Sequence, residues 1–371
     1  MRSIKTRYYV LGFVVFLILK KILTSNPEWV ERFYTQGFYA FYLRMITAIT
    51  NLLPFSIGDV LYFLVGVFLL WKIRLIGKAN KGGKQKIRQY LRFALKGGLL
   101  FYVTFTLLWG FNNYRVSIRT QLDLQQGYTT AELTRLTQEI IHQTNALQLL
   151  LTQDSLREVV ISFDKKQILQ DAELGISRLS ESTQWYTYGN QKAKGSLYSL
   201  PLTYMGFSGY VNPFTLEAQV NTKIPTSTFI VTASHEIAHQ LGYAKESEAN
   251  FIGFLAAKQQ EDLHYQYSAN IFALRYCLKA LEGEESELNF KAILKEIHPG
   301  VQVNLMENTV FWQSYKSITD SIFKFIYSNF LKLNNQKEGI RSYNMFIDLL
   351  IHYNKKEPVF TGSFSFIHCS L

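Results

Sequence analysis

Three long apolar runs within the first 115 residues constrain the fold of this chain more than any other feature. They predict three transmembrane helices at about residues 8–23, 56–71 and 93–111. A helix needs roughly 17–25 apolar residues to cross a bilayer, and the first run reaches that length only if Lys20 and Lys21 extend their ammonium groups to the interface. The alternative is three helices buried in a soluble core, but a chain that is 48% apolar and 18% charged favours the membrane.

The basic segment between the second and third runs predicts the orientation of the membrane region. Residues 72–96 contain nine Lys and Arg and no acidic residue, and short basic loops remain in the cytoplasm. The N-terminus, with Arg2, Lys5 and Arg7, is then also cytoplasmic, and three crossings place residues 116–371 outside the cytoplasm. Because this segment explains much of the net charge of +11, we expect no nucleic-acid partner.

The sequence predicts a membrane region at residues 1–115 and a mainly α domain with some strand (α+β) at 116–371. A helix is expected after the capping box formed by Thr129 and Glu132. Gly and Pro interrupt alternating apolar and polar residues between 195 and 225, a pattern typical of strands and loops. From Ser227 onward nearly every segment has helical character.

The stretch "SHEIAHQLGYAKESEANF" carries the pattern that points to chemistry. Residues four apart lie on one face of a helix, so His235 and His239 can direct two imidazoles at one metal ion. Glu236 is then placed to act as a general base on a zinc-activated water, as in HExxH peptidases. The alternative is a histidine pair whose role is purely structural. Two distant cysteines, Cys277 and Cys369, form no CxxC pair, which excludes a disulfide framework and a cysteine-based zinc knuckle. The sequence leaves open whether they form one disulfide or remain two free thiols.

A third protein ligand is needed, because a catalytic zinc usually has three protein ligands and one open position. Lys245 stands where the third histidine of the metzincin pattern would be, and an ammonium group cannot bind a metal. The nearest candidates are Glu246 and Glu248, and we expect Glu248, with Glu246 as a first-turn charge or a partner that orients a ligand.

An intramembrane protease is disfavoured, since the apolar lead-in to the motif is too short to span a bilayer. Candidates for stabilising an oxyanion, which the sequence does not rank, are Tyr243, Arg275, Tyr276 and Tyr343.

Several segments resemble the bacterial domain-of-unknown-function family 3810 (DUF3810) over nearly the whole chain. They include "LLPFSIGDVLYFLVG", "GYVNPFTLEAQVN", "SHEIAHQLGYAKESEANF" and "NNQKEGIRSYNMFIDLL". The resemblance implies three N-terminal membrane helices and a zincin-like (gluzincin) metallopeptidase domain. It implies motif roles for His235, Glu236 and His239, with Glu248 as the third ligand. It also implies that the strand before the motif lies along a peptide substrate.

We therefore predict a zinc metallopeptidase anchored in the bacterial inner membrane, with Zn²⁺ as cofactor and the catalytic domain on the periplasmic side. Its expected partners are the lipid bilayer and a peptide or protein substrate of the cell envelope. A non-catalytic zinc-binding or metal-free membrane scaffold is the alternative, and a fourth protein ligand on the metal would favour it.

Overall fold

The computed structural model describes residues 6–79, 82–183, 191–336, 343–357 and 359, and the chain divides into two units. The first unit contains the described residues up to Val116 together with the loop Val211–Glu217, and the second unit contains the remainder. Apart from that loop, the first unit ends one residue after the predicted membrane region.

Helices make up the first unit. They are α1 (Thr6–Leu23), α2 (Pro27–Trp29), a π-helical stretch (Val30–Tyr39), α3 (Ala40–Thr50), α4 (Ile57–Lys78), α5 (Gly83–Leu108) and a 3₁₀ turn (Gly110–Tyr114). By length and apolar composition, α4 and α5 can each cross a bilayer. Within the described residues a third candidate exists only if α1 and Pro27–Thr50 count as one broken span. The prediction of a membrane region is thus supported with two to three spans rather than a definite three.

The break between α1 and α2 follows from two residues. Pro27 lacks the amide hydrogen that would continue the α1 hydrogen-bond ladder, whereas it is well suited to the first position of a new helix. Asn26 caps that new helix, since its side-chain oxygen accepts a hydrogen bond from Glu28 N at 2.9 Å. The two helical segments meet at 105° as a result.

The loop Val211–Glu217 is fastened within the first unit by its last residue. The buried carboxylate of Glu217 accepts hydrogen bonds from Ile57 N (3.0 Å) and Gly58 N (2.6 Å), the first amides of α4. A side chain at Gly58 would place a Cβ 2.5 Å from Asn212 Nδ2, so only glycine permits this approach. The carboxylate therefore caps α4, where the helix dipole also favours a negative charge.

The second unit combines helices with one small sheet. The helices are α6 (Ile118–Gln121), α7 (Thr130–Thr152), α8 (Lys165–Thr183), α9 (Ser199–Met205), α10 (Thr226–Gln240), α11 (Glu246–Lys258), α12 (Leu263–Glu284), α13 (Glu287–Lys295), α14 (Pro299–Ser314), α15 (Ile318–Leu333) and α16 (Tyr343–Lys356). The strands are β1 (Ala193–Gly195), β2 (Gly209–Val211) and β3 (Ala218–Val220), in the order β1-β3-β2. β1 and β3 are parallel, with Ala193 opposite Ala218. The predominance of helix agrees with the prediction.

The core of the second unit surrounds α10, which packs against α8, α11, α12 and β3. The predicted capping box is present at the start of α7, where Thr129 N donates to Glu132 Oε2 (2.8 Å) and Glu132 N donates to Thr129 Oγ1 (3.2 Å). Cys277 is a buried free thiol on α12. Cys369 lies outside the described residues.

Candidate metal centre

Helix α10 brings His235 and His239 together at the centre of the second unit. Thirteen of its fifteen residues are buried, including Glu236 and His239. The imidazole rings of the histidine pair have centroids 4.6 Å apart and planes at 90°. A buried polar group needs a partner, so the surroundings of these side chains determine what the centre can hold.

The end of α10 supplies a partner for His239. Gly242 adopts φ +84°, a conformation that favours glycine, and it turns the chain back over the helix. Tyr243 N donates to Ala238 O (3.1 Å) and Gly242 N to His239 O (3.0 Å), which is a Schellman motif. The turn places Tyr243 O 2.7 Å from His239 Nδ1. Because a carbonyl oxygen only accepts, Nδ1 carries the proton and Nε2 is left as an electron-pair donor.

Glu246, the first residue of α11, provides the oxygen atoms opposite both imidazoles. Its Oε2 lies 3.5 Å from His235 Nε2 and its Oε1 lies 3.6 Å from His239 Nε2. One donor atom from each of the three side chains lies within 4.8 Å of the others. Ligands at ~2.0–2.1 Å in a tetrahedral zinc site are roughly 3.3–3.4 Å apart. Two nitrogens and one carboxylate at these separations fit such an ion.

Glu248, which the sequence favoured as third ligand, does not join this group. Its Oε1 accepts hydrogen bonds from Lys245 Nζ (3.0 Å) and Ile118 N (3.3 Å). Residues two apart on a helix point about 200° from each other, so Glu246 and Glu248 cannot both face the histidines. Among the described residues the geometry therefore favours Glu246 over Glu248 as the third candidate ligand.

Close packing of α11 on α10 sets the position of Glu246. At Gly253 an added Cβ would lie 3.0 Å from both His235 N and Val231 O. A larger residue would push the helices apart. One turn earlier on α11, Asn250 forms a hydrogen bond with the side chain of His235 and donates to Tyr276 OH at 3.2 Å. Both imidazoles of the centre are thus oriented by a neighbouring group.

Glu236 lies beside the centre without being part of the three-residue group. It is 4% exposed, and its Oε2 has no hydrogen-bond partner within the described part of the chain. An added Cβ at Gly209, in β2, would lie 2.5 Å from Glu236 Oε1. Burial raises the pKa of Glu236 to about 8, with a further increase from the Glu246 carboxylate and an opposing effect of His239. A buried carboxyl group with a free oxygen is the kind of group that can exchange a proton with a bound water.

The ionisable groups of the centre are strongly coupled. Burial and the neighbouring His239 lower the pKa of His235. Burial also lowers the pKa of His239, but the carboxylates of Glu246 and Glu236 outweigh it and raise that pKa to about 9. Burial raises the pKa of Glu246, and the two histidines outweigh this effect and hold it well below its usual range. The negative charge of Glu246 and a positive charge on His239 therefore stabilise each other.

Sequence reasoning missed three residues of the centre: Gly209, Asn250 and Tyr327. Tyr327, on α15, donates a hydrogen bond from its hydroxyl to Glu246 Oε1 at 2.6 Å. The sequence could have indicated Asn250, since it follows Glu246 by four residues and so lies on the same face of α11. Gly209 stands in the strand that the family resemblance places along a substrate, but nothing in the sequence indicated its approach to Glu236. Tyr327 had no signal, because it reaches the centre from a distant part of the chain.

The four oxyanion candidates have different locations. Tyr243 contributes through its main-chain oxygen, and Tyr276 contacts Asn250. Arg275 lies near Thr228, with Nη1 3.5 Å from the threonine hydroxyl. The side chain of Tyr343 lies outside the described residues.

One comparison with known proteins gives a match. The model of a family described as a protein of unknown function, DUF3810, matches residues 34–351. No curated protein and no solved structure matches the chain significantly.

Proposed function

This chain belongs to the DUF3810 family, and we propose that it is a membrane-anchored zinc metallopeptidase. The observation that carries the proposal is the group of His235, His239 and Glu246. Nε2 of His235 lies 3.5 Å from one carboxylate oxygen of Glu246, and Nε2 of His239 lies 3.6 Å from the other. Beside this group lies the buried carboxyl group of Glu236, with an oxygen that has no hydrogen-bond partner among the described residues. A metal site adjacent to a potential general base is the arrangement that hydrolysis by HExxH peptidases requires.

The residues have separate roles in this proposal. Zinc would be held by Nε2 of each histidine and by the Glu246 carboxylate. When bound, the ion supplies Lewis acidity, which polarises a peptide carbonyl and makes water nucleophilic near neutral pH. Glu236 accepts the proton of the attacking water at Oε2 and delivers it to the leaving amine. The hydrogen bond from His239 Nδ1 to Tyr243 O keeps the imidazole turned towards the ion.

The substrate proposed for this centre is an extended peptide. β2 is an edge strand of the sheet, and an edge strand can pair with an added peptide strand through main-chain hydrogen bonds. Gly209 of β2 is also the residue that lies against Glu236. A peptide paired with β2 would therefore pass the proposed general base.

The proposed location is the inner membrane, with the second unit on the periplasmic side. α4 and α5 are long and apolar enough to span a bilayer, and the basic residues 72–96 would keep the segment between them in the cytoplasm. Substrates would then be peptides or proteins of the cell envelope.

The experiment that tests this function combines metal content with peptide hydrolysis. The full chain, purified in detergent, is expected to hold close to one zinc per molecule and to cleave unfolded peptides in a chelator-sensitive manner. His235→Ala and His239→Ala should lose both properties, because each removes one of three ligands. His142→Ala, at an exposed position on α7, is the matched control and should retain both. Full zinc retention in both ligand variants would contradict the site, and zinc without cleavage of any peptide would favour the scaffold.

A further inference from the structure

Tyr327, on α15, forms a hydrogen bond with a residue of the candidate metal centre. Its hydroxyl donates to Glu246 Oε1 at 2.6 Å. That oxygen is also the one nearer to His239 Nε2, whereas Oε2 lies on the side of His235. The phenol therefore engages the oxygen that faces His239 and leaves the oxygen that faces His235 without this hydrogen bond.

We propose that Tyr327 is a positioning residue that fixes the Glu246 carboxylate for metal binding, an inference that rests on the proposed function. By engaging Oε1, the hydroxyl leaves Oε2 as the oxygen available to the ion. It also prevents rotation of a carboxylate that otherwise has two equivalent oxygens. Hydrogen bonds to ligating carboxylates typically contribute about 10- to 100-fold in metal affinity.

The hydroxyl is held in place because α15 itself is held. Ser317 caps the helix by accepting a hydrogen bond from Asp320 N at 3.3 Å. Asp320 lies against Gly206 at the end of α9, where an added Cβ would be 2.2 Å from Asp320 Oδ1. Gly206 also has φ +77°, so two constraints require glycine at this contact. This contact places α15 beside the centre.

Two aromatic rings determine the direction of the phenol. Phe207 meets the Tyr327 ring edge-on, with centroids 5.2 Å apart and planes at 77°. Phe330, on the same helix, stacks on it at 6.2 Å and 18°. These geometries are preferred ones for aromatic pairs. The ring therefore has one favoured orientation, and its hydroxyl points at Glu246.

The test compares two Tyr→Phe substitutions that each delete one hydroxyl. Tyr327→Phe is expected to weaken Zn²⁺ binding by about 10- to 100-fold, measured by competition with a chelating dye. It should also change the visible absorption spectrum of bound Co²⁺, which reports on ligand arrangement. Tyr265→Phe is the matched control, because Tyr265 OH donates to the Asp171 carboxylate elsewhere in the second unit. Its zinc affinity should remain within twofold of wild type, and its Co²⁺ spectrum should be unchanged.

The possible results separate the positioning role of Tyr327 from the proposed function. Wild-type affinity and an unchanged Co²⁺ spectrum in Tyr327→Phe would overturn the positioning role and leave the proposed function standing. Equal weakening in both variants would indicate a general loosening of the fold and would also overturn it. A wild-type chain that binds no zinc would overturn the inference and the proposed function together.

Discussion

Three glutamates within thirteen residues have different surroundings and therefore different expected roles. Glu236 is buried, with one oxygen that no group in the described part of the chain contacts by a hydrogen bond. Glu246 lies between two imidazoles. Glu248 is buried against Lys245 and the Ile118 amide. Glu→Gln substitution preserves shape and removes charge, so it separates these roles.

We predict three distinct outcomes for these substitutions. Glu236→Gln should keep zinc but lose about 10²-fold or more in turnover, the usual scale of a general base. Glu246→Gln should weaken zinc binding by more than the 10- to 100-fold expected of a residue that only orients a ligand. Glu248→Gln should leave zinc bound and lower the free energy of unfolding by about 1–2 kcal/mol, through weakened charged hydrogen bonds. Zinc loss in Glu248→Gln with retention in Glu246→Gln would restore the original ligand assignment.

The residues of the centre differ in how far sequence could predict them. The placement of His235 and His239 on one helix face follows from their spacing alone. The choice between Glu246 and Glu248 depends on where α11 begins and how closely it packs on α10. The turn at Gly242 is one that a glycine after a helix indicates locally. The approach of α11 to α10 at Gly253 is a tertiary contact that no local pattern reports.

At the scale of elements, the contact between β2 and α10 leaves no space for a side chain on the strand. The edge strand passes so close to Glu236 that Gly209 has no room for a Cβ, with Glu236 Oε1 at 2.5 Å and Gln219 O at 2.6 Å. The three atoms nearest to such a Cβ belong to Glu236 and Gln219, and none belongs to a candidate metal ligand. A substitution here should therefore displace the proposed base and spare the metal ligands.

Gly209→Ala is predicted to retain zinc and to reduce peptide hydrolysis by about 10²-fold, since a displacement near 1 Å can cost that much. Zinc content and initial rates measured on one preparation would check both parts. Gly283→Ala, on α12, is the matched control, because an added Cβ there meets nothing within 4 Å. Full activity of Gly209→Ala would show that Glu236 does not need its present position.

Elements with strong local signals were predicted well, and elements defined by tertiary contacts were not. The capping box at Thr129 marked the start of α7, and the breakers between 195 and 225 indicated the region that contains β2 and β3, with β1 ending at its first residue. The position of α15 beside the centre, and with it the proposed role of Tyr327, could not be predicted. Its role depends on contacts of Gly206 and Phe207 with Asp320 and Tyr327, residues more than a hundred positions apart in the chain.

At the scale of the whole molecule, the number of spans and the proposed side of the second unit are separate questions. α4 and α5 are long and apolar enough to span a bilayer. They are joined by a basic segment that is expected in the cytoplasm, so the chain after α5 is expected on the other side. This holds whether or not α1 and Pro27–Thr50 form a third span. Whether these two segments cross the bilayer decides only the side on which the N-terminus lies. Sequence hydropathy located the apolar runs but could not reveal the 105° break at Pro27.

Reporter fusions are expected to resolve both questions. A phosphatase that is active only outside the cytoplasm should be active when fused after Arg115 and inactive when fused at Lys84, within the basic segment. The opposite pattern would contradict the periplasmic placement.

For the N-terminus, Lys5 and Arg7 favour the cytoplasm, so a reporter placed before Thr6 should be inactive. An active reporter there would mean that the bent pair does not cross, leaving two spans, and the second unit would still lie outside the cytoplasm.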